Sequence, residues 1–182
     1  MLDRSRTHSR GPGHLRPGIH DASARHYWLM RRDLTQPVPT VRWPQAFERV
    51  TFSVDNARAV HQLLMLGTEH GGGRVADFDT WLHNFERDPE FDRTLCFVVH
   101  DAQGVAAVVQ CWTSSFIRNL VVHPRARRLG LGLTLLNQVF ETFADRHEGR
   151  VDLKVMESNL AARQLYERAG MHYVQRSELD PR

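Results

Sequence analysis

VHPRARRLGLGLTLL at residues 122–136 and NLAARQLYERAGM at residues 159–171 decide how this chain folds. Ahead of the first, residues 116–122 read as a strand, and His123-Pro124 ends it, because proline has no N–H and restricts the residue before it. Beyond it, Leu133, Leu136, Val139, Phe140 and Phe143 recur at helical spacing. Gly130 and Gly132 therefore stand where a strand turns into a helix. Glycine lets the backbone approach a ligand there, and the first N–H groups of a helix have no partner inside it. Those groups and the positive end of the helix dipole make an anion site, to which Arg125, Arg127 and Arg128 add charge. A dinucleotide-binding loop is disfavoured: there is no G-x-G-x-x-G, and the turn does not open a β-α-β unit.

The second stretch reads as a helix over 160–169, closed by Gly170 between strands at 151–156 and 171–175. Asn159 is a favoured N-cap residue. Tyr166 shares a helix face with Ala162, Leu165 and Ala169, which leaves both a core role and a site role open.

Working outward, residues 95–100 and 105–112 flank the turn D-A-Q-G and predict a hairpin of two buried strands. Residues 48–54 predict a strand. Asp55-Asn56 can cap a helix carrying Ala59, Val60, Leu63 and Leu64 that stops at Gly67, and Phe78, Trp81, Leu82 and Phe85 mark a second helix. The order β-α-α-β-β-β-α-β-α-β is an α/β (α+β) arrangement: a mixed, mostly antiparallel sheet with helices on both faces. Residues 1–25 read as a flexible Arg-rich arm, 26–44 as an edge strand with a Pro-rich connector, and 45–182 as the main domain.

The two stretches together resemble the GCN5-related N-acetyltransferase superfamily over about residues 46–176. Its pattern V-x-P-x-x-R-G-x-G-x-G-x-x-L-L matches 122–136, and N-x-x-A-x-x-L-Y-E-x-x-G-F matches 159–171. Arg128 stands where a glycine is usual and Met171 where a phenylalanine is. The resemblance implies an acyl-CoA-dependent N-acetyltransferase with acetyl-CoA as cosubstrate and an amine of a small molecule or peptide as acceptor. Leu120, Val121 and Val122 would bind the pantetheine arm, and Arg127, Arg128, Leu129, Gly130, Leu131, Gly132 and Leu133 would cradle the pyrophosphate. Asn159 would hydrogen-bond the cofactor, and Tyr166 would give a proton to the departing thiolate.

A lysine-like amine is mostly protonated at pH 7, a deficit of about 4–5 kcal/mol that a general base relieves. The family's base would fall near Phe116 or Arg118, and neither can serve. Glu157 is the substitute candidate, ahead of His123 and His100. Arg118, if it faces the acceptor, can grip a carboxylate or phosphate. The resemblance also implies a closing hairpin of two strands, of which this chain keeps one after the second motif. Residues 26–32 are expected to fill the vacant edge, within the chain or by exchange in a homodimer.

Composition bounds the alternatives. Apolar residues make up 41% and charged residues 25%, and the formal net charge is +3, with Lys154 the only lysine. That surplus suits an anionic cofactor as well as nucleic acid, and no nucleic-acid or membrane partner is expected. Cys96 and Cys111 form no CxxC pair and the histidines are scattered, so no metal is expected and a cytoplasmic setting is. The runner-up reading is a CoA-binding sensor of the same fold without turnover.

Overall fold

The computed structural model describes residues 26–71 and 74–179. The expected arm at 1–25 lies outside the described residues. Among the described residues, seven strands and four α-helices follow one another: β1 (His26–Asp33), β2 (Glu48–Thr51), α1 (Val54–Gly71), α2 (Phe78–Arg87), β3 (Phe91–Asp101), β4 (Gly104–Trp112), β5 (Phe116–Val122), α3 (Leu131–Asp145), β6 (Arg150–Met156), α4 (Leu160–Arg168) and β7 (His172–Glu178). The strands form one sheet in the order β2-β3-β4-β5-β6-β1-β7, antiparallel at every step except β5–β6. The expected mixed, mostly antiparallel α/β fold is what forms.

Successive strand side chains point to opposite faces, and in β3 both faces are apolar. Leu95, Phe97 and Val99 join α3 and α4 in one core with Leu135, Phe140, Phe143 and Leu153. Cys96 and Val98 join α1 and α2 in a second core with Phe52, Val60, Trp81 and Phe85. The sheet is therefore covered on both sides. Local sequence sets the helix starts. The Asp77 side chain accepts from the Thr80 amide at 3.0 Å ahead of α2, and Asn56 reaches back from α1 to the Ser53 amide at 2.9 Å.

Two expectations need correction. Gly67 does not stop α1, which runs on to Gly71. Its place is a close approach: a β-carbon there would lie 2.7 Å from Val121 Cγ2, so glycine lets the helix press onto β5. The strand at 26–32 does not take an edge. β1 lies inside the sheet, paired with β6 from Tyr27↔Met156 to Asp33↔Arg150 and with β7 from His26↔Glu178 to Arg31↔His172. Its side chains explain the position. Met30 is wholly buried, Trp28 meets the edge of Tyr173 at a centroid distance of 4.9 Å, and Arg31 holds Asp152 through two bonds of 2.7 Å. β1 thus has a side-chain partner on each neighbour, Asp152 on β6 and Tyr173 on β7. The edges are β2 and β7; on β7 the exposed His172, Gln175, Arg176 and Glu178 are polar or charged and Val174 is the exposed apolar residue, a mostly polar composition that discourages pairing with another chain.

Candidate active site

The only parallel pair in the sheet is also the shortest. β5 meets β6 at Phe116↔Asp152 and Ile117↔Leu153, and no further register pair joins them. On its other edge β5 stays paired with β4 as far as Ala107↔Val122. The two strands thus part in a wedge that opens toward their C-terminal ends. A bulge marks the branching point: Ile117 faces Cys111 and Asn119 faces Gln110, which leaves Arg118 as an extra residue on β5. Beyond it, Leu120 and Val122 turn their backbone groups to the gap, where they lack a ladder partner on β6, while those of Val121 face Val108 on β4.

At the mouth of the wedge the chain turns twice through left-handed conformations, at Arg128 (φ 63°) and Gly130 (φ 81°), before entering α3. That explains why glycine is usual at the position of Arg128. The first bond within α3 runs from the Thr134 amide to the Gly130 carbonyl at 3.0 Å, so the amides of Leu131, Gly132 and Leu133 precede it and face out along the axis. A β-carbon at Gly130 would meet nothing within 4 Å, whereas one at Gly132 would sit 3.0 Å from Leu165 Cδ2 and 3.7 Å from Val122 Cγ2. Gly130 keeps the cradle open. Gly132 lets α3 lie against α4 and the end of β5.

The arginines divide. Arg125 turns away to the β3–β4 hairpin, bonding Asp101 at 2.9 and 3.1 Å and the Val105 carbonyl at 3.0 Å, so it is not part of the cradle. Arg127 is exposed and reaches the Val122 carbonyl at 3.2 Å, while its own amide is engaged by Pro124. Arg128 and Leu129 are exposed beside it.

Asn159 caps α4, its side-chain oxygen accepting from the Ala162 amide at 3.2 Å. Tyr166 is buried in the core cluster that Leu131 joins and against which Leu120 and Val122 pack. Burial pushes its phenol up to about 12, and its hydroxyl has no hydrogen-bond partner among the described residues.

The geometry speaks against Glu157 as the base. Its carboxylate is held by Arg176 at 2.8 and 2.7 Å, and that hydrogen-bonded pairing keeps it below the usual carboxylate range. A base with a depressed pKa and both oxygens committed accepts a proton poorly. His123 fares little better: its Nδ1 accepts from the Arg125 amide at 3.2 Å, and burial, followed by the charge of Arg125, holds its pKa down. His100 stands on β3, two strands from β5, with Nε2 buried and unpartnered.

Arg118 lies over Trp112, its guanidinium carbon 4.5 Å from the ring centroid, with Asp88 3.9 Å away. Beside it Asn119 donates to the fully buried Gln110 at 2.9 Å. The sequence reading missed Trp112, Asp88, Gln110 and Asn119. The available signal was Gln110, the one polar residue within the run Val105 to Trp112. Among the described residues, no group of three or more His, Cys, Asp or Glu could hold a metal ion, and no helix is long and apolar enough to cross a membrane.

Comparison with known proteins gives this geometry a context. The mycothiol acetyltransferase of Beutenbergia cavernae is 32% identical over 103 residues, which are 53% of this chain and 32% of that protein. A GCN5-related N-acetyltransferase from Sphaerobacter thermophilus superposes with a TM-score of 0.70 at 26% identity, covering 87% of this chain and 53% of that one. The ribosomal-protein-S18-alanine N-acetyltransferase of Escherichia coli shares the fold, with a TM-score of 0.54 at 22% identity over 68% of this chain and 76% of its own. This chain thus spans about a third of the mycothiol acetyltransferase and about half of the Sphaerobacter chain. Residues 57–171, more than half of the sequence, match the Acetyltransferase (GNAT) family, and the chain belongs to that family.

Proposed function

We propose that the chain transfers an acetyl group from acetyl-CoA directly to an amine. The observation that carries this reading is the wedge between β5 and β6 with the N-terminus of α3 at its mouth. An extended, amide-bearing pantetheine arm finds strand backbone without a β6 partner at Leu120 and Val122, with Val121 between them and Arg127 on the Val122 carbonyl. A diphosphate finds free amides from Leu131 to Leu133, the open space above Gly130, and the exposed Arg127 and Arg128. The cytoplasmic setting belongs to the same proposal.

The chemistry then follows from what the residues can do. Backbone N–H at Leu120, free of β4, would hold the oxyanion as the amine adds to the thioester. Tyr166 supplies a hydrogen bond to the leaving sulfur. A phenol near 12 facing a thiol near 8.5 gives up its proton fully only against roughly 5 kcal/mol, so its share is a bond that strengthens as charge builds on sulfur. With Glu157 committed to Arg176, the acceptor amine itself has to be easy to deprotonate. An α-amine near 8 is short by only about 1.4 kcal/mol at pH 7. The structure favours that kind of acceptor over a lysine side chain.

One feature favours the second reading, a CoA-binding protein without turnover. The β5 positions where a carboxylate base would stand are Phe116 and Arg118. Titration calorimetry with acetyl-CoA and with CoA, followed by thiol release with a panel of amines, separates the two. Heat without thiol release with any amine supports the sensor, and no heat with either ligand removes both.

A further inference from the structure

We propose that Arg118 reads the acceptor: the amine substrate carries a carboxylate, and the Arg118 guanidinium grips it beside the wedge. The inference rests on the acetyltransferase reading and narrows its substrate class.

Position comes first. Arg118 is the bulged residue of β5 and the first residue beyond the last β5–β6 pair, at the point where the strands separate. It is on the side of α1 and α2, because it stacks on Trp112, which packs against their core, and faces Asp88 at the end of α2. An acceptor approaching the thioester from that side meets this guanidinium.

The state of its donors comes second. Most other paired arginines of the molecule are tightly held: Arg31 on Asp152 at 2.7 Å, Arg125 on Asp101 at 2.9 Å, Arg146 on Asp92 at 2.8 Å, and Arg176 on Glu157 at 2.7 Å. Arg118 has five N–H donors, and its one carboxylate neighbour is 3.9 Å away, outside hydrogen-bond range. Asp88 is itself occupied, its Oδ1 accepting from the Glu90 amide at 2.9 Å. The contact with Trp112 holds the guanidinium near the wedge, which reduces the freedom to be lost when an anion binds. Partial desolvation also disfavours its charge, a penalty that an incoming anion offsets. A planar fork with unused donors matches a carboxylate through two parallel bonds.

Matched pairs test this: dipeptides with a free α-amine and a C-terminal carboxylate against their C-terminal carboxamides, whose amines are alike in basicity, each assayed by thiol release with acetyl-CoA and the full chain. The acids should exceed their amides in kcat/KM by about 10–100-fold. Arg118→Met should collapse that ratio toward one, while Arg118→Lys should keep part of it, which a merely structural role would not do. Asp88→Asn keeps the acceptor oxygen for Glu90 and removes the competing charge, so KM for the acids should fall. Equal or better use of the amides, or an equal loss for acids and amides in Arg118→Met, overturns the proposal. So does CoA binding without turnover of any carboxylate-bearing amine. The parent reading fails differently, through the absence of any heat with acetyl-CoA or CoA.

Discussion

Gly130 separates stability from ligand binding, because the two depend on different properties of one residue. Its φ of 81° is a left-handed conformation that disfavours an L-side chain by about 1–2 kcal/mol, while its missing β-carbon would face open space. Gly130→Ala should therefore destabilise through backbone strain alone, with no clash. For a chain of this length that is a fall in Tm of about 2–8 °C. Gly130→Asn should fall less, since asparagine is several-fold enriched in left-handed positions. Binding should rank the two variants otherwise. Both place a β-carbon where the diphosphate must approach, and each charge-assisted hydrogen bond lost is worth about 1.5–3 kcal/mol, or roughly 10–100-fold in Kd. Differential scanning calorimetry and CoA titration on the same preparations make the comparison. Normal CoA affinity in Gly130→Asn would refute the cradle, and an unchanged Tm in Gly130→Ala would refute the left-handed turn.

Tyr166→Phe should lower kcat by about 10-fold or more while CoA affinity stays within a few-fold, as calorimetry beside steady-state kinetics would record; an unchanged kcat removes the phenol from the leaving-group step. Met30→Ala, at a wholly buried position of β1, should destabilise by about 2–5 kcal/mol in urea titration, against almost nothing if the strand were loosely attached. Glu157 has a folded pKa below its ordinary value, so its pairing with Arg176 contributes fully above that ordinary value of about 4.3 and is lost as pH falls through the lower, folded one. Arg176→Gln should raise the Glu157 titration midpoint followed by NMR, and an unmoved midpoint would show that the pair does not form in solution.

Much of the fold was legible because its signals are local. Residues 116–122 carry a β-branched run ended by His-Pro, and residues 131–145 carry helical apolar spacing, so both elements fall where the pattern puts them. Gly67 misled because glycine has two meanings that sequence does not separate: a helix stop, or a place where another element comes too near for a side chain. The neighbour that decides is Val121, 54 positions away in the chain, and periodicity holds no information about it. The place of β1 was half legible. Its short apolar run marks a strand, but whether a strand lies inside or at an edge depends on partners far along the chain.

At the site, the anion cradle was readable from glycine and arginine placement. The commitments of individual charges were not. Arg125, Arg127 and Arg128 look alike in sequence, and only the position of Asp101 takes the first of them away. Glu157 likewise became an implausible base once Arg176, on another strand, was found against it. Ion pairs between elements are set by strand register, and that is where sequence reading ran out.

The placement of β1 carries a consequence for how the polypeptide is made. Arg31 and Asp152 are 121 positions apart, so at ribosomal speeds of about 5–20 residues per second the segment leaves the tunnel roughly 6–24 seconds before its partner exists. Throughout that interval β1 has neither β6 nor β7 to pair with. β7 contacts the rest of the sheet through this segment, so its docking follows that of β1 on β6. Nascent chains stalled before residue 150 should hence be the ones that trigger-type holdases grip, and release should coincide with completion of β6 and β7.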